Sequence, residues 1–284
     1  MKFRDAIEEF NNYVSVTRSK GTYDFYQYYL KSLSDALGHM DCDQINNSVI
    51  LKYIQQLKRK NPAVKHATIN KHIIALKASI RYVTGRKVEF SKLKEDKQTV
   101  GVISEKTLKR VFEYYQKHIS DSFSFRNYLF YKLLLDTGLR LTEMANISIN
   151  NIDLNTNTIH VKVTKTKNER FVCFTDSTKE LLIKFIITHK IDKYLFFDFN
   201  TGKPLTTSSI ECFTYRLKKK LGIKEGITPH KWRHTFATKF LRSGGNIETL
   251  RIILGHSNLK TTQIYLHLTR NDIYTQYIAV MNQN

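Results

Sequence analysis

The chain has 284 residues, 41% of them hydrophobic and 12% aromatic, with only 3 prolines and 11 glycines. That composition excludes a disordered tail and suffices for two hydrophobic cores. Lys and Arg number 46 against 25 Asp and Glu, a formal net charge of +21, which points to a polyanionic partner.

The excess is distributed: 18 basic against 10 acidic residues over 1–100, and 28 against 15 over 101–284. Both halves are therefore expected to touch the same polyanion. Cys42, Cys173 and Cys212 lack CxxC spacing, so they suggest neither a disulfide framework nor a zinc site and fit a reducing compartment. The N-terminal MKFRDAIEEFNNYV is charged throughout, and no stretch approaches the ~20 apolar residues of a spanning helix. A soluble, cytoplasmic protein without a membrane partner is expected.

Four helices are predicted over the first 85 residues. Phe3, Ile7, Phe10 and Val14 form one apolar stripe, and Tyr26, Leu30, Leu33 and Leu37 a second that stops at Gly38. Ile50, Ile54 and Leu57 mark a third ending near Pro62. Thr68 is the expected cap of a fourth, which buries Ile69, Ile73, Leu76 and Ile80 and closes at Gly85. RKVEFSKLKEDKQTV, residues 86–100, is charged and poor in apolar residues, which suggests a connection between domains. The organisation is a helical domain over 1–88, a linker over 89–102 and a second domain over 103–284.

In the second domain helical pattern resumes at Ser104, a cap with Thr107 and Leu108 behind it, and ends at Thr137-Gly138. Leu139-Arg140 opens the next segment. The period then shortens to two. Ile159, Val161 and Val163 alternate with His160 and Lys162, and Phe171 and Cys173 with Val172 and Phe174, around a polar turn. This predicts a β-hairpin joined by a short strand at 152–154. After residue 176 helices return: one over 208–221, one from Thr228-Pro229 to Gly244-Gly245, one from Asn246 to Leu254 closed by Gly255, and a further one carrying Tyr265. The fold class is mainly α with a small antiparallel sheet.

Several side chains in this second domain are each unremarkable alone. Arg140 follows a helix stop, where backbone rather than a flexible stem can aim it; Lys165 sits in the hairpin turn. In PHKWRHTFAT, His230 and Arg233 share the face of a helix start whose N–H groups are free, a setting that suits phosphate. His230 and His234 are also four apart like a pair of metal ligands, but no Glu lies between them and no third ligand is signalled, which favours a structural His234. In LGHSNLKTTQIYLHL, His256 follows Gly255 and Tyr265 comes nine residues on.

Together, Arg140, Lys165, His230, Arg233, His256 and Tyr265 fill, in order, the pattern of the tyrosine recombinases, and the chain resembles that phage-integrase family. The resemblance is dense in TGLRLTEMANI, HKWRHTFAT and LGHSNLKTTQIYLH. The overall size is similar to Xer recombinases and shorter integrases. Trp232 stands where Leu is frequent, and TKTKNER replaces the usual hairpin sequence, so Lys162 and Lys167 remain alternatives to Lys165.

The resemblance implies a two-domain DNA clamp, with an N-terminal helical core-binding (SAM-like) domain and a C-terminal catalytic domain. It implies site-specific cutting and rejoining of double-stranded DNA through a 3′-phosphotyrosyl link, for integration, excision or resolution, by a homo-tetramer or together with a related recombinase. Tyr265 would be the nucleophile, Arg140 and Arg233 the phosphate clamp, His230 the base, His256 a donor to the phosphate and Lys165 the general acid. No cofactor is needed, because the bond energy stays in the enzyme–DNA link. Lys71, Lys77, Arg81, Ser208, Arg216 and Lys218 are candidate DNA contacts, and the apolar tail 272–281 could dock on a neighbouring protomer. Type IB topoisomerases share this chemistry; a catalytically silent DNA-binding protein and a metal-dependent nuclease are the alternatives from other classes.

Overall fold

The computed structural model describes residues 1–95, 101–162 and 169–265, and the chain divides into two compact units, 1–98 and 99–284. Lys165, Lys167 and the tail 272–281 lie outside the described residues.

In the first unit α1 (Phe3–Thr17), α2 (Lys20–Leu37), α3 (Asn47–Lys60) and α4 (His66–Thr84) pack around one core. Most of the expected stripes are buried: Phe3, Ile7, Phe10 and Val14 on α1, Leu30, Leu33 and Leu37 on α2, Ile50 and Ile54 on α3, and Ile69, Ile73, Leu76 and Ile80 on α4; Tyr26 and Leu57 are half-buried, with Tyr29 and Tyr53 buried beside them. Asn46 caps α3 by accepting from the Val49 amide at 3.1 Å, and Lys58, Arg59 and Lys60 face the negative end of its dipole. Thr68 does not cap α4. The helix starts three residues earlier than that cap implies, behind an extended Lys65 that has no side-chain cap. The stretch expected to begin the linker also packs on this unit. Val88 is buried, Phe90 and Leu93 lie against the core, and the Asn70 amide donates to the carbonyl of Leu93 at 2.9 Å while accepting its N–H at 2.8 Å. Three apolar side chains are enough to hold an otherwise charged segment down.

The second unit is built on α6 (Ser122–Thr137), which buries Phe125, Leu129, Phe130, Tyr131, Leu133 and Leu134. It packs against α5 (Glu105–Lys117), α8 (Asp176–His189) and α10 (Pro229–Arg242). Trp232 of α10 is fully buried, stacks on Tyr131 with centroids 4.7 Å apart and donates its indole N–H to the Ile227 carbonyl. Its departure from Leu is therefore absorbed by the core. β1 (Ile152–Asp153), β2 (Thr158–Val161) and β3 (Arg170–Cys173) form an antiparallel sheet in that order, with Ile152 opposite Ile159 and Ile159 opposite Val172. α7 (Leu141–Ala145), α9 (Thr207–Lys220) and α11 (Ile247–Leu254) complete the unit.

Ser104, Asp121, Thr206 and Asn246 cap α5, α6, α9 and α11 through their side chains. Thr228 makes no such bond, and α10 starts on Pro229 alone. No helix among the described residues is long and apolar enough to cross a membrane.

Candidate active site

The end of α6 and the start of α7 aim the first arginine. Gly138 adopts the left-handed conformation at φ 59° and stops α6, so Arg140 stands at the cap of α7. Glu143, one turn on, accepts from the Arg140 amide at 2.8 Å and from its Nη1 at 3.0 Å. The other arm of the guanidinium, Nη2, donates to the Gly255 carbonyl at 2.9 Å.

Arg233 on α10 is only 6% exposed. Its Nη1 donates to the carbonyl of Gly138 and its Nη2 to that of Leu254, both at 2.7 Å, and Nη2 also meets His256 Nε2 at 3.0 Å. Burial, then the charge of Arg140, push its pKa down to about 10, so it remains a cation at neutral pH. His256 follows Gly255, which ends α11 at φ 62°. Burial and the surrounding Arg233 and Arg140 lower the pKa of His256 to about 4. The neutral ring accepts from Arg233 at Nε2, so Nδ1 carries the proton and donates to Thr262 Oγ1 at 2.9 Å. In this state His256 is an acceptor on the side facing the arginine, not the donor expected; donation from Nε2 requires the other tautomer.

Three arginines hang on the end of one helix. The last carbonyls of a helix lack intrahelical partners and carry its negative dipole end. Those of Ile253, Leu254 and Gly255 accept from Arg170, Arg233 and Arg140 respectively. Beside them opens a cleft of about 1300 Å³ lined among others by Arg140, Lys162, Arg170, Arg251 and His256, a setting that attracts an anion.

Tyr265 ends a 3₁₀ turn, Gln263–Tyr265, and is 5% exposed. Its ring belongs to an apolar cluster with Phe236, Ala237, Leu241, Leu250 and Leu254. The hydroxyl is not on the arginine pair; it lies 2.8 Å from His234 Nδ1. Burial raises its pKa, against the lowering effect of Arg233. His230 is exposed on the first turn of α10. Four of the six residues, Arg140, Arg233, His256 and Tyr265, are therefore gathered around α10 and the end of α11, with His230 on the same helix and Lys165 outside the described residues.

Of the candidate DNA contacts, Lys71, Arg81, Ser208 and Arg216 are exposed and Lys218 is half-buried. Lys77 is tied to the Phe90 carbonyl at 2.5 Å. Among the described residues no three His, Cys, Asp or Glu side chains group as metal ligands.

Two contributors escaped the sequence reading. His234 is the partner of the tyrosine rather than only a packed histidine. Arg170 is buried with Val172 and Phe174 on one face of its strand. A charged residue in phase with the buried face of an alternating strand was the available signal.

The chain matches the Phage integrase family over residues 101–272 and the N-terminal SAM-like domain of phage integrases over residues 7–87. Tyrosine recombinase XerA of Saccharolobus solfataricus is 32% identical over 99% of this chain and 86% of its own length. A crystal structure of XerA recombinase is 28% identical and superimposes with a TM-score of 0.55 over 99% of both chains. The Tn1549 transposon integrase in complex with transposon right-end DNA, at 20% identity, shares the fold with a TM-score of 0.80 over 99% of this chain and 100% of that one.

Proposed function

The chain belongs to the phage integrase family and is a tyrosine recombinase that cuts and rejoins DNA at specific sites; on that premise we propose that Tyr265 is its nucleophile and Arg140 and Arg233 its phosphate clamp. The observation that carries this reading is the pair of guanidinium groups held on the adjacent carbonyls of Leu254 and Gly255. Neutral carbonyls are weaker acceptors than a phosphate oxygen, so a scissile phosphodiester can take over those N–H groups without unfolding anything. Two preorganised cations then meet the charge that develops on the phosphoryl group during attack.

Deprotonating a phenol of ordinary pKa at neutral pH costs roughly 4 kcal/mol. The field of Arg233 offsets part of it, and His230 accepts the proton. The phenolate oxygen attacks phosphorus and forms the 3′-phosphotyrosyl bond. The bond between phosphorus and the 5′ oxygen breaks, and Lys165 protonates that leaving oxygen. A 5′ hydroxyl from another strand then attacks the phosphotyrosyl phosphorus and gives its proton to Lys165, while the P–O bond to Tyr265 breaks and His230 returns its proton to the phenol. His256 shares Arg233 with the phosphate and donates to it once its tautomer has changed.

The working assembly of this reading is four protomers on two duplexes in the cytoplasm. Lys71, Arg81, Ser208, Arg216 and Lys218 contact the DNA backbone, and Lys77 does so by sharing or leaving the Phe90 carbonyl. The test is a substrate nicked beside the cleavage position, run on a denaturing gel. Wild type gives a covalent adduct, Tyr265→Phe gives none, and Arg140→Ala or Arg233→Ala abolishes the adduct while DNA binding is largely kept. Persistence of the adduct in Tyr265→Phe overturns the nucleophile assignment.

A further inference from the structure

We infer that Arg170 is a positioning residue for the reaction, one that keeps Arg140 aimed and leaves its charge available to the phosphate. Its side chain is 5% exposed and satisfies two acceptor groups at once. The Nη1 and Nη2 atoms grip Glu143 Oε1 and Oε2 at 3.0 and 2.7 Å, and Nε donates to the Ile253 carbonyl at 2.7 Å. Glu143 in turn holds both the amide and Nη1 of Arg140. A single buried residue on β3 thus ties the start of α7 to the end of α11, the two places from which Arg140 is held.

Charge balance gives Arg170 a second effect. Alone beside Arg140, the Glu143 carboxylate would neutralise the cation that faces the cleft, and a phosphate would meet an ion pair. With Arg170 on the other side of the carboxylate, the trio keeps a net positive charge. Burial by itself would raise the pKa of Glu143, yet the hydrogen bonds from Arg170 and the Arg140 amide hold it down to about 2, so the carboxylate is ionised wherever the enzyme works. Gly255 leaves the room that this needs: a Cβ there would stand 2.9 Å from Arg170 Nη1 and 3.1 Å from its Cζ.

This inference rests on the reading of Arg140 as a phosphate ligand, and its test separates the two. Single-turnover adduct formation, DNA affinity and melting temperature are measured for wild type, Arg170→Lys, Arg170→Met and the double variant Glu143→Gln/Arg170→Met, with Tyr265→Phe as control. Arg170→Met slows adduct formation about 100-fold, the scale of losing one transition-state donor, while DNA affinity stays within about threefold of wild type. Arg170→Lys, which keeps the charge but not the fork, falls between wild type and Arg170→Met.

The double variant removes the carboxylate that would neutralise Arg140 and keeps an amide oxygen to aim it. It regains about tenfold over Arg170→Met, a coupling expected only between residues that act as one unit. Both Arg170 variants cleaving at the wild-type rate overturns the inference. So does parallel loss of cleavage, affinity and melting temperature with no gain in the double variant. An adduct missing from wild type, or retained in Tyr265→Phe, instead overturns the functional reading beneath it.

Discussion

Tyr265, which in the proposed reaction has to become a phenolate, lies among Phe236, Leu241, Leu250 and Leu254, with its oxygen on a histidine. Burial and the neighbouring His230 and Arg233 lower the pKa of His234, so its ring is neutral at pH 7. A neutral ring bonded at Nδ1 can accept the phenol proton as a hydrogen bond without taking it. The arrangement keeps the hydroxyl off the arginine pair and favours its protonated form. Swinging it to the arginine pair breaks this one hydrogen bond, worth about 1 kcal/mol net, or roughly fivefold in population. His234→Leu removes the acceptor and leaves the stored hydroxyl unsatisfied. Adduct formation in single turnover is expected to accelerate about fivefold, within the factor set by that bond. Slower adduct formation, with the melting temperature kept, would mean that His234 takes part in the chemistry.

At the scale of elements, the ends of α6 and α11 do the positioning, and both ends are glycines. Gly138 is left-handed, its carbonyl holds Arg233, and a Cβ on it would stand 2.2 Å from Phe236 Cδ1. Gly85, at φ 69°, ends α4 with nothing within 4 Å of the same position. Gly85→Ala therefore brings only backbone strain, roughly 1–2 kcal/mol, whereas Gly138→Ala adds overpacking of roughly 1–3 kcal/mol and shifts the carbonyl under Arg233. The melting temperature should fall further for Gly138→Ala, and only that variant should lose cleavage; equal effects would mean that Phe236 yields freely.

The same ends explain what was legible in the sequence. Glycine stops, apolar stripes and the Ser104 and Asn246 caps are local signals, and they located α1 to α4, the start of α5, the end of α6, and α9 to α11; the break between α5 and α6, where Asp121 caps the second helix, was not read. The start of α4 was misplaced because Lys65 ends the turn by backbone conformation alone. The candidate site was read as a set of residue types in order. Its wiring through Arg170 and three successive carbonyls was not, because, the Arg140–Glu143 pair aside, those bonds join residues 21 to 115 apart in sequence.

The whole molecule carries +21, and a polyanion bound by such a charge is released by salt. Each DNA phosphate neutralised contributes about −0.9 to the slope of log affinity against log salt concentration. That rule counts phosphates, not cations, and so it separates two kinds of arginine. Arg140 and Arg233 converge from adjacent carbonyls on what the mechanism treats as one phosphate, so Arg140→Ala/Arg233→Ala should flatten the slope by roughly 0.9. Arg81 and Arg216 are exposed and belong to different units, and in the proposed reading each takes a phosphate of its own. Arg81→Ala/Arg216→Ala should flatten it by roughly 1.8, with uniform weakening across DNA sequences. Fluorescence anisotropy of a labelled duplex over about 50–200 mM salt resolves a difference of that size. If removing the Arg140 and Arg233 pair flattens the slope as much as removing the dispersed pair, the two guanidinium groups grip different phosphates and the clamp on a single scissile group is wrong.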